Sequence, residues 1–159
     1  MRLPCRLAMF LALAAASVAC KSRDIGAPPS TQVKAPPAVP PISFRNDVYP
    51  VLAKYCATAE GCHGNRPTES VDLDLRAGTA YAQLVGTSAE ARKDALRVRP
   101  GDASTSFLVD KVAGSLRSGE GKRMPLDVES GVALDPSPLP PEYVEKILKP
   151  WIQAGARNN

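Results

Sequence analysis

Apolar residues recur at helical spacing in several stretches of the chain. In "FRNDVYPVLAKYC" (44–56), Val48, Val51, Leu52 and Tyr55 fall on one side of a helix. Asn46 or Asp47 is placed as its N-cap, with Pro50 in the first turn, where a missing N–H costs little. "GTAYAQLVG" (78–86) predicts a short helix between two glycines, with Tyr81, Leu84 and Val85 inward. "RPGDASTSFLVDKVAGSL" predicts a turn at Pro100–Gly101 and then a helix over about 103–116, capped by Asp102. Its spacing is marked by Phe107, Leu108, Lys111 and Val112. "LPPEYVEKILKPWIQAGA" (139–156) gives the broadest apolar face, formed by Tyr143, Val144, Ile147, Leu148, Trp151 and Ile152. Pro150 should bend that helix near Lys149, and Gly155 should stop it. "VDLDL" (71–75) alternates and predicts a short extended piece, with Asp72 and Asp74 in solvent. "RSGEGKRMPLD" (117–127) predicts a polar, Gly-rich loop.

The first forty residues follow another pattern. Arg2 and Arg6 precede an apolar run from Leu7 to Ala16, and small residues end it. This is the plan of a secretory signal over 1–19, with an apolar run too short for a comfortable membrane span. Ser17-Val18-Ala19-Cys20 resembles the bacterial lipobox, with Ser17 where Leu is usual. The resemblance implies lipidation of Cys20 and an exported, envelope-anchored product. Lys21 after it suggests the outer membrane of a Gram-negative bacterium, facing the periplasm or the exterior. Ordinary cleavage near Ala19 is the alternative. Residues 20–41 carry six prolines after Cys20 and no amphipathic period, which predicts a semi-rigid tether. The folded domain is then expected over 42–157.

Charge narrows the functional classes. The net charge is +4, but the leader's two arginines leave 18 basic against 16 acidic side chains in the rest. So even a balance argues against a nucleic-acid surface, which needs clustered Lys and Arg. Aromatic residues make up only 5%, so core volume must come from aliphatic side chains or from a bound flat group. Long connections between short helices also need something to hold them.

The candidate chemistry is sparse. Outside the leader and Cys20, the cysteines are Cys56 and Cys62; the histidine is His63 and the methionine is Met124. In an exported protein two readings stay open for the cysteines: a local disulfide, or a pair of thioethers to haem. His63 directly follows Cys62, and Met124 stands in the polar loop before Pro125, without apolar neighbours at i−3 or i−4. His and Met are the side chains that hold iron in Met/His haem proteins. Zinc is a weaker option, because Cys56, Cys62 and His63 supply only three ligands. The spacing is a difficulty for haem. Cysteines at i and i+3 share a helix face, but those at i and i+6 diverge by about 120° at roughly 100° per residue. Ala57–Gly61 must therefore leave the helix.

"SFRNDVYPVLAKYC", "CHG", "LDLRAGTAYAQLVG", "RVRPGDASTSFLVDKV", "RMP" and "WIQAGA" occur in an order that resembles the single-haem c-type cytochrome domains of secreted and membrane-anchored bacterial proteins, of the planctomycete and myxobacterial type. The likeness covers most of 44–156, with five residues between the cysteines where two are usual. It implies a mostly α, cytochrome c-like domain of short helices and long loops around one haem, with first and last helices packed together. That packing would set Val48, Leu52 and Tyr55 against Ile147, Leu148 and Trp151. It implies one covalent haem c, with Cys56 and Cys62 as thioether donors and His63 and Met124 as iron ligands. The expected function is single-electron transfer between unidentified donor and acceptor proteins, without catalysis of its own. The rival expectations are a haem-free envelope lipoprotein with a Cys56–Cys62 disulfide, and a haem enzyme or sensor in which Met124 does not bind.

Overall fold

The computed structural model describes residues 41–58, 62–64 and 73–159. The signal segment, Cys20, the tether up to Pro40, Ala59–Gly61 and Asp72 lie outside the described residues.

The chain enters through a π-helical turn, Phe44–Val48, that continues into helix α1, Tyr49–Tyr55. Ser43 caps it. Its hydroxyl accepts from the Asn46 N–H at 3.2 Å, and its own N–H donates to Asp47 Oδ2 at 2.7 Å. The cap therefore lies before the predicted Asn46 or Asp47, because this reciprocal pair satisfies two N–H groups at once. The chain leaves through a matching unit, a π-helical turn over Tyr143–Leu148 followed by α4, Lys149–Gln153. In both units a proline, Pro50 or Pro150, is the second residue of the α-helical part. A proline ring inside a helix crowds the carbonyl four residues back. Here the turn before each proline is widened, with Tyr49 N–H bonded to Phe44 O and Lys149 N–H to Val144 O, five residues back. Widening lets both helices run past their prolines.

Between these units lie α2 (Ala80–Leu84), strands β1 (Ser88–Ala89) and β2 (Arg92–Leu96), and α3 (Phe107–Ala113). The strands form a two-stranded antiparallel sheet with a bulge between Ser88 and Ala89. The expectation of a mostly α, cytochrome c-like fold is corrected by this arrangement. The described part is a small mixed fold of short helices with a β-hairpin. Arg92-Lys93-Asp94 lacks the alternation that marks a strand. Instead, Ala89 and Ala95 pack with Phe107 in a small second cluster, which holds the hairpin to α3. Helix α3 is also shorter than 103–116. Asp102 caps a turn over Ser104 and Thr105 instead, and the helix begins at Phe107. Asp74 is not in solvent: it is buried and paired with Arg76 at 2.6 Å, which holds its carboxyl well below the usual carboxylate range.

The main core joins Phe44, Val48 and Leu52 to Leu75, Leu84, Val98, Leu148, Trp151 and Ile152. The Phe44 ring lies 5.3 Å from Trp151 and 5.2 Å from Tyr81. Tyr143 Oη donates to the Val48 carbonyl at 3.2 Å, across the core. These contacts fix α1, whose last turn carries Cys56 to the candidate site.

Candidate functional site

A cavity of about 350 Å³ lies between the end of α1, α3 and the loop after α3. It falls within the ~300–1,000 Å³ range of ligand pockets. Cys56, Cys62, His63 and Met124 all line it, among apolar side chains that include Leu75, Leu84, Phe107, Leu108 and Val112. The half-exposed Val128 also lines it, so the cavity meets solvent at that rim. The four residues singled out in the sequence thus share one wall-to-wall space. Cys20 lies outside the described residues.

The cysteine side is built by main-chain hydrogen bonds. Cys56 N–H donates to Leu52 O at 2.8 Å, which continues α1. His63 N–H then donates to Cys56 O at 3.0 Å. In a continuous helix a Cys carbonyl would receive the N–H four residues on. Here the residue seven on makes that bond, so His63 stands where a shorter motif would put it. Gly64 makes the closure possible: a Cβ there would collide with the carbonyls of Ala57 and Thr58. Both cysteines are free thiols. Burial, and then the neighbouring Cys62, pushes the Cys56 thiol up to about 11, so it stays protonated at neutral pH.

His63 is held twice more. Leu75 N–H donates to its carbonyl at 2.7 Å, and its Nδ1 lies 3.1 Å from Leu73 O. With the proton on Nδ1 donated to that carbonyl, Nε2 keeps its lone pair for a metal. Burial lowers the pKa of His63, against the bond to Leu73, and the cations Arg97 and Lys111 lower it further. The neutral imidazole is the form that binds metal.

The cavity is also lined by Met124, half-buried, whose N–H donates to Lys111 O of α3 at 2.9 Å. Two cations that were not singled out as site residues also line the cavity. Arg97 is 9% exposed and donates to the carbonyl and side-chain oxygen of Gln83 at 2.9 and 3.1 Å. Lys111 donates to the Glu120 carbonyl. Among the described residues neither forms an ion pair with a carboxylate. No sequence pattern marks Arg97, which sits between Leu96 and Val98 in the apolar run that leaves the sheet.

These residues fit a haem. The lining is largely apolar, the His and Met donors suit its iron, and two free thiols can attach it. Two cations, which pair with no carboxylate among the described residues, suit its two carboxylates. Among the described residues, no three His, Cys, Asp or Glu side chains group as ligands for a bare metal ion. Comparison of the chain with protein families, curated proteins and solved structures finds no match.

Proposed function

We propose that the domain holds one covalently attached haem and carries single electrons, as an exported c-type cytochrome anchored through a lipid on Cys20. The observation that carries this reading is the convergence of Cys56, Cys62, His63 and Met124 on one largely apolar cavity. Bound haem would supply a one-electron iron couple. Cys56 and Cys62 would hold it by adding each S–H across a vinyl group, forming one C–S and one C–H bond, with no oxidant required. His63, oriented by Leu73, would offer Nε2 to the iron, and Met124 would offer its sulfur. Arg97 and Lys111 would meet the carboxylates, and the apolar lining would keep water from the iron. A group held by both His63 and Met124 would suit electron transfer to and from partner proteins better than catalysis.

Protein made with a c-type maturation system should stain for haem on a denaturing gel at its own mass. Met124→Ala should then abolish the far-red band of Met–iron ligation in the oxidised spectrum. A colourless band, with Cys56 and Cys62 joined in a disulfide, would favour a haem-free interaction module. A coloured protein whose spectrum ignores Met124→Ala would favour a haem enzyme or sensor.

A further inference from the structure

The segment that brings Met124 to the cavity leaves α3 at Gly114, which adopts a left-handed conformation. Residues 115–122 are polar apart from Leu116, and most are exposed. Glu120 is the exception, at 5% exposure. Its carboxylate takes both arms of Arg92 from β2, with Oε1 to Nε and Oε2 to Nη2 each at 2.6 Å. The third nitrogen of Arg92 donates to Asp110 Oδ2 of α3, also at 2.6 Å. Oε2 accepts the Arg117 N–H at 2.8 Å, and the Glu120 carbonyl accepts Lys111 Nζ at 2.9 Å. Lys111 O in turn receives the Met124 N–H. The Arg92 guanidinium lies 4.9 Å from the centre of the Phe107 ring, itself on the cavity wall.

A buried charge cluster adds little stability over an apolar core of the same shape, but it rejects arrangements that leave one charge unpaired. In this loop it supplies the specificity that apolar packing does not. We propose that Glu120, gripped by Arg92, which Asp110 in turn ties to α3, is a positioning residue: it fixes the loop from α3 so that the Met124 sulfur is delivered to the cavity. This rests on Met124 as the iron ligand proposed above. The cluster touches no ligand itself and acts through Lys111 and the loop backbone.

The test uses the matured holoprotein with Glu120→Gln, which keeps the shape of the side chain and removes its charge. The far-red Met–iron band should weaken. Cyanide should displace the axial ligand about tenfold faster, the factor that one hydrogen bond to a charged group carries. Haem should stay covalently attached. If Glu120→Gln does not fold, Arg92→Lys keeps the charge but loses the fork, and should show both changes more mildly. An unchanged band and cyanide rate, even with lower thermal stability, would overturn the proposal. Hydrogen exchange at the Met124 amide separates the two readings, since it needs no iron. In a chain without haem, faster exchange at that amide in Glu120→Gln would support the clamp while the haem reading failed. Unchanged exchange would overturn the clamp.

Discussion

The two sides of the cavity are built by different means. On the His63 side, main-chain hydrogen bonds run from Leu52 to Cys56, from Cys56 to His63, and from His63 to Leu75. They stand on a buried core that includes Val48, Leu52 and Leu148. On the Met124 side main-chain bonds tie Met124 to Lys111 and Leu134 to Pro125, and a charged cluster holds the loop before them. A side built on packing should lose its form when volume is removed or added. One built on charge should respond to neutralisation and to acid.

The largest effect should come from Leu52→Ala. Leu52 is 1% exposed, so emptying its place in the core should cost about 2–5 kcal/mol in denaturant unfolding. The His63 side should loosen with it. Gly64→Ala should follow at roughly 1–3 kcal/mol, the usual cost of overpacking, because its Cβ meets backbone that has little room to yield. It should also reduce the yield of haem-stained protein, whereas the same change at the exposed Gly119, whose positive φ alone is strained, should not. Met124→Ala should leave haem attached and alter only the axial spectrum and the potential.

The smallest effect separates the sides by pH. Arg92 holds the Glu120 carboxyl down to about 2, against an ordinary value of 4.5. Stability from this group is complete above about pH 4.5 and is lost as the pH falls toward 2. Glu120→Gln should therefore flatten the fall of the urea midpoint between those values. An equally steep fall in the variant would show that other carboxylates dominate acid unfolding.

The same contrast governs what could be read from the chain. Helical periodicity located the segments around 44–55, 80–84 and 143–153, because packing writes a period into apolar positions. The site residues were legible because His63 and Met124 have no duplicates after residue 19 and Cys62 adjoins His63. Arg92 and Glu120 were not, since two charged residues 28 apart look like solvated surface until the fold joins them. The hairpin escaped for the same reason: Arg92 is held by a distant carboxylate, and its neighbours Lys93 and Asp94 are exposed. The cap was placed too late because the prolines hid how far each helix extends before them. The mostly α expectation failed with the hairpin.

The central claim is that Cys56 and Cys62 hold one group between them despite the five residues that separate them. Mass spectrometry of the tryptic peptide Tyr55–Arg76 from matured protein tests it most directly. The account predicts one peptide carrying the mass of a single haem, with neither cysteine open to alkylation. A peptide with no added mass, its cysteines free or paired with each other, would contradict it.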